Sequence, residues 1–183
     1  FQTHLAESKP QAVAARARDG CSMVEHLDRL GVLGSEFSGA HGIWIDGDDI
    51  ARLADKGCAV AHNPPSNLRL GSGVAPLREM LDAGLRVGIG TDASNTSDGQ
   101  NMFEATRLAA YLSRLRGPDF ERWVAAGEAF ALATEGSATL LGFDKIGKLA
   151  KGYAADIVFL RLDAPNFVPL RDPLIQTVFG ESG

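Results

Sequence analysis

The sequence predicts an α/β fold, with repeated strand–helix units whose strands lie parallel in one sheet. Three observations carry that expectation: short apolar segments that each close on a polar residue, amphipathic stretches between them that stop near a glycine, and a recurring interval between the polar closures. The apolar segments are residues 1–5 (FQTHL), 38–45 (SGAHGIWI), 57–63 (GCAVAHN) and 85–92 (LRVGIGTD). Near-continuous apolar character fits strands covered on both faces, as parallel sheets are.

The stretches between them read as helices. Residues 21–30 place Met23, Val24, Leu27 and Leu30 on one side; 48–56 carry Ile50, Leu53 and Ala54; 74–83 carry Leu77, Met80 and Leu81. Gly31, Gly57 and Gly84 follow, each where a helix commonly terminates in a left-handed residue. His4, His41, His62 and Asp92 close the four strands at separations of 37, 21 and 30 residues. A closed barrel of eight βα units takes about 250 residues, roughly 31 for each. Four units occupy about the first 115 residues here, half a barrel's worth of strands.

Beyond the fourth strand, residues 98–116 predict a long helix with Met102, Ala105, Leu108, Ala109, Leu112 and Leu115 on one face, broken by Gly117 and Pro118. Asp119 is expected to cap a second helix running to Thr134, and 135–141 a third, stopped by Gly142. From Phe143 the texture changes to glycines and the alternating run 156–162 (DIVFLRL). The expected organisation is residues 1–142 as part of a (β/α) barrel and 143–183 as part of a small β-rich domain.

Composition narrows the partners. At 183 residues, 45% hydrophobic and 22% charged, the chain can bury a core, and its net charge of −5 gives no basic stripe for nucleic acid. No apolar run approaches the roughly 18 residues of a membrane span, and no basic segment leads into an apolar one at the start. Cys21 and Cys58, without CxxC spacing, predict reduced thiols and a cytoplasmic protein.

The candidate chemistry lies at the strand ends. Three of the four histidines, His4, His41 and His62, share that position with Asp92, and catalytic groups of α/β barrels come from the C-terminal face. Imidazole and carboxylate are ligands for a catalytic divalent metal, which keeps a position open for water. Glu7 follows His4 by three residues and reads either as a rim carboxylate able to shuttle protons or as a helix-start residue; the local sequence leaves both open. Asp92 reads as a ligand or as a turn aspartate. Gly71-Ser72-Gly73 reads as a tight connection, and His26 as a helix-surface residue. The GxSxG elbow of a serine hydrolase does not occur.

Together, HLAES at 4–8, AHGIW at 40–44, AHNPPSNLRLGSGVAPLREMLDAG at 61–84 and GTDASNTSDGQNMFEATRLAA at 90–110 resemble the amidohydrolase superfamily. The likeness is to its cytosine/guanine deaminase-like branch, with methylthioadenosine/S-adenosylhomocysteine deaminases and triazine hydrolases, and GKLAKGYAADIVFL at 147–160 is similar to that branch's return to a small β-domain. The resemblance implies a (β/α)8 barrel of the metal-dependent hydrolase type, of which the chain carries the second half, strands 5–8. It implies His4 and Asp92 as metal ligands and Glu7, His41 and Asp92 as catalytic residues, with His62 and Asn67 in a loop lining the pocket. The expected cofactor is a divalent metal, zinc or else iron.

One part of the family pattern is absent: no two histidines lie two apart, so the His-x-His strand supplying two further ligands is not in these 183 residues. The expectation is therefore the C-terminal portion of a hydrolase that deaminates a purine, pteridine or similar small heterocycle. Triazine dechlorination or dealkylamination by the same machinery is the alternative, and a catalytically silent interaction module the rival of another class. The unpaired edges of a half-barrel predict association into homo-oligomers.

Overall fold

In the computed structural model, which describes residues 1–181, four parallel strands form one sheet in sequence order: β1 (Gln2–Leu5), β2 (Ser38–His41), β3 (Ala59–His62) and β4 (Arg86–Ile89). All four expected strands are present, each shorter than its apolar segment.

Pleating sorts the strand residues into two rows. Leu5, Val60 and Val87 are buried in a core with Val24, Leu53 and Met80 from the covering helices. The other row runs in register from His4 to Ala40, Ala61 and Gly88. Those last three are small, which leaves space on that face.

The connections are α1 (Lys9–Asp19) and α2 (Met23–Arg29) after β1, α3 (Gly47–Asp55) after β2, and α4 (Pro64–Arg69) and α5 (Leu77–Asp82) after β3. Hydrophobic periodicity does not announce α1, where Ala15 is the buried residue; its ends build it. Ser8 and Gln11 form a reciprocal capping box, a proline sits in the first turn, and Gly20 terminates the helix at φ 68°. Ahead of the Gly71-Ser72-Gly73 connection lies α4, which starts on Pro64 and Pro65, where a missing amide costs no helical bond.

After β4 come α6 (Ser94–Ser97), α7 (Met102–Ser113) and then a departure from expectation. The helix expected from Asp119 starts at Ala126 as α8 (Ala126–Ala131); Asp119 caps only a 3-10 turn over Phe120–Arg122. Tertiary bonds hold the chain extended there: the Ser113 hydroxyl accepts from the Val124 amide, and the Trp123 indole donates to the Gly117 carbonyl. Phe120 is consequently 71% exposed. Nor is 135–141 a separate helix, because α8 runs through a π-helical turn, Leu132–Gly136, into α9 (Ser137–Leu140).

That turn sits against the free edge of β4. The Ser137 hydroxyl accepts from the Ile89 amide and lies beside the Ile89 carbonyl, both at 3.1 Å. A Cβ on Gly88 would come within 2.8 Å of Ser137 Cα, and one on Gly136 would strike the Val87 carbonyl. Glycine is required at both.

The run 156–162 has no ladder partner among the described residues, and Val158 and Phe159 stand in solvent. An alternating segment becomes a strand only against another edge. Instead, α10 (Pro173–Gly180) packs back on α7 and α8, burying Val178 and stacking Phe179 on Tyr111 at 5.2 Å.

Candidate metal and catalytic site

The C-terminal ends of the strands gather the candidate residues. His4 lies at the end of β1, His41 closes β2 and His62 β3, while Asp92 lies three residues beyond β4. Ligand atoms of His4, Glu7 and His41 lie within 4.8 Å of one another, and the His4 and His41 rings stack at 5.4 Å. His41 Nε2 is 3.9 Å from Glu7 Oε2 and 3.8 Å from Asp92 Oδ2. The imidazole therefore sits between two carboxylates, with its Nε2 buried and without a hydrogen-bond partner among the described residues.

Backbone geometry at these ends is unusual. Ala6, His41 and Asp92 all occupy the left-handed region, with φ of 43°, 75° and 62°. A non-glycine residue is sterically strained there, and such residues concentrate where a site over-determines the backbone. The consequence is directional: each chain turns sharply at the strand end instead of continuing the pleat. Glu7 thus remains outside α1, since Ser8 is the N-cap, and the helix-start reading of Glu7 is not the one adopted.

Around this centre are residues that the sequence did not single out for the role they play. Asn67, on α4, is 1% exposed, and its Oδ1 lies 2.8 Å from His41 Nδ1. Ser66 donates to Asp92 Oδ2 at 2.7 Å. The Ser72 hydroxyl donates to Glu7 Oε1 at 3.4 Å, and its carbonyl accepts from the Trp44 indole at 2.8 Å. The prolines opening α4 are the signal the sequence offers: a helix starting directly after β3 turns Ser66 and Asn67 back over the strand ends.

Electrostatics follow from these contacts. Burial works against ionisation of Asp92, but hydrogen bonds from the Ser66 hydroxyl, the Ala93 amide and Thr96, with His41 nearby, outweigh it and hold the carboxyl below its usual range. His62 is wholly buried; desolvation, then the charge of His41, lowers its pKa to about 4, so it is neutral at physiological pH. Neither ring nitrogen of His62 has a hydrogen-bond partner among the described residues.

A cavity of about 430 Å³ opens beside the site, lined by His4, Ala40, Ala61, Gly88 and Asp92 among others. It is large enough for a small heterocycle. Arg69, by contrast, pairs with Asp98 at 2.5 Å on the exposed surface, and His26 lies 3.8 Å from Asp19 on the outside of α2. No helix among the described residues is long and apolar enough to cross a membrane.

The amidohydrolase family model matches residues 1–181. A 5-methylthioadenosine/S-adenosylhomocysteine deaminase of Thermococcus kodakarensis is 37% identical over 98% of this chain and 42% of its own length. An 8-oxoguanine deaminase of Pseudomonas aeruginosa is 41% identical over 95% of the chain and 38% of its own. The crystal structure of an atrazine chlorohydrolase from Arthrobacter aurescens, complexed with zinc, superimposes with a TM-score of 0.91 at 38% identity, over 97% of this chain and 39% of that one. The chain thus spans about two fifths of the length of the curated relatives it matches.

Proposed function

The chain belongs to the amidohydrolase family, and on that premise we propose that its strand ends form part of the active site of a metal-dependent hydrolase. The reaction is hydrolytic deamination of a purine, pteridine or similar heterocycle. The observation that carries this reading is the convergence of His4, Glu7 and His41 within 4.8 Å, with the Asp92 carboxylate 3.8 Å from His41. Displacement of chloride or an alkylamine from a triazine is the second reading, favoured by the likeness to the zinc-complexed atrazine chlorohydrolase.

The donor set suits zinc, and iron equally: imidazole nitrogens and carboxylate oxygens at the mouth of a cavity, with His41 Nε2 buried and without a hydrogen-bond partner among the described residues. His4 and Asp92 would hold the ion, and two further ligands would come from strands outside the described residues. When bound, the metal supplies a water acidic enough to lose its proton near neutral pH. Asp92, kept ionised by Ser66, accepts that proton. Glu7 relays the proton taken by Asp92 to the ring nitrogen beside the attacked carbon, then takes the second proton of the former water from the new hydroxyl and passes it to the departing amine as the C–N bond breaks. His41 faces the same space through Nε2 and offsets the charge that develops there.

The complete enzyme is cytoplasmic and self-associating in this reading, with residues 143–183 contributing to a small β-rich unit. The buried free thiols Cys21 and Cys58, and a β1 edge without a strand partner among the described residues, support the first two statements. The test is Glu7→Gln in the complete enzyme. Turnover of an aminopurine is expected to fall by about 10²–10⁴-fold with zinc content unchanged; undiminished turnover removes Glu7 from the mechanism.

A further inference from the structure

Between His4 and Glu7 lies Ala6, and what holds it is not part of the site described above. Ala6 is 2% exposed and left-handed at φ 43°, a conformation an alanine does not take unaided. Both of its backbone groups are engaged. The carbonyl accepts from the Trp44 amide at 2.9 Å, which ties the strand end of β1 to the loop after β2. The amide donates to a sulfur atom, Met23 Sδ, at 3.3 Å.

Met23 is the first residue of α2, and that helix end is itself anchored. The Ser22 hydroxyl caps α2 by accepting from the Glu25 amide at 3.0 Å, and it donates to the buried Asp49 carboxylate of α3. The thioether therefore arrives from a fixed point. A buried amide needs an acceptor, and thioether sulfur is a weak one that an aliphatic side chain of equal size cannot replace.

We propose that Met23 is a positioning residue: its thioether holds the left-handed turn at Ala6 and thereby sets the direction of Glu7 towards His41. On the sequence alone Met23 is one more apolar residue on a helix face; the structure gives it an acceptor's work. The catalytic consequence rests on Glu7 acting as proposed above, while the hydrogen bond itself does not.

The test is a cycle of Met23→Leu, Ala6→Gly and the double variant. Leucine keeps the volume and removes the acceptor; glycine adopts positive φ without strain. In this chain, Met23→Leu is expected to raise the hydrogen-exchange rate of the Ala6 amide at least ~10-fold relative to neighbouring amides of β1. In the complete enzyme, Met23→Leu is expected to lower kcat about 10-fold with KM within about 3-fold, the signature of a misplaced proton donor. Ala6→Gly on the Met23→Leu background is expected to restore most of kcat. A Met23→Leu variant with unchanged Ala6 exchange and unchanged kcat overturns the proposal, as does a double variant with no recovery, since a residue that merely packs would not be rescued at Ala6. If the complete wild-type enzyme hydrolyses no heterocycle, the functional reading fails, and the exchange rate at Ala6 still decides whether Met23 holds the turn.

Discussion

At the residue scale, His62 is the most exacting position. A wholly buried imidazole with a pKa lowered from 6.5 to about 4 binds its proton more readily in the unfolded chain than in the folded one. Stability conferred by keeping it neutral is therefore fully present above about pH 6.5 and is lost as pH falls towards 4. Urea titrations across that window are expected to show wild-type stability falling by up to ~1.4 kcal/mol per pH unit more than in His62→Gln. Equal slopes would mean that His62 is solvated or charged in the folded protein. The same scale separates what the sequence discloses from what it conceals. His4, His41 and Asp92 are legible as strand-end residues because an apolar strand gains nothing by ending on an imidazole or a carboxylate, and together with His62 they recur near barrel spacing. The contacts of Ser66 and Asn67 are not, because they depend on α4 folding these residues back onto Asp92 and His41. Nor is the left-handed turn at Ala6, since nothing about an alanine signals it.

At the scale of elements, legibility follows how much of each element's stability is hydrophobic. The strands and α3 are plain from their apolar patterns, with Ile50 and Leu53 buried as spaced. Helix α1 is not, since its capping box, proline and terminal glycine do what a buried stripe does elsewhere. The stretch 119–125 misleads for the opposite reason: its apolar residues fit a helical period, yet Ser113 and Gly117 claim its backbone and indole for an extended path. The π-helical turn against β4 makes a testable demand on this element. Ser137→Ala is expected to cost about 1–3 kcal/mol, because the Ile89 amide loses its partner. Gly136→Ala is expected to cost about the same through overlap with the Val87 carbonyl. Urea denaturation of the two variants checks both, and wild-type stability in either would show that the turn does not seal this edge.

At the scale of the whole molecule, the four-strand sheet presents one row of mostly small side chains to an open cavity and one row to a packed core. Its two outer strands are treated differently. On β1, the pairing to β2 uses the carbonyls of Phe1 and Leu5, and the backbone groups of Gln2 and His4 alternate to the other side. An unpaired edge of this kind invites another strand. Gln2→Pro removes a donor from that side without touching the ladder to β2, and is expected to shift the chain towards monomer in sedimentation velocity. An unchanged distribution would move the self-association surface elsewhere, and the solvent-facing run 156–162 offers the alternative.

The hydroxyl of Ser137 has a consequence for how such a molecule grows. By occupying the backbone of Ile89, it latches one flank of the sheet, while the other has no strand partner among the described residues. The two flanks then differ in what closure of a barrel asks of them: β1 accepts a strand as it stands, whereas a strand pairing with β4 must first displace the Ser137 hydroxyl from Ile89. An engineered complement, whether fused or supplied as a separate peptide, meets one open berth and one latched one. The strand meant for β1 must be cut to match Gln2–Leu5, and the strand meant for β4 must outcompete one serine hydroxyl.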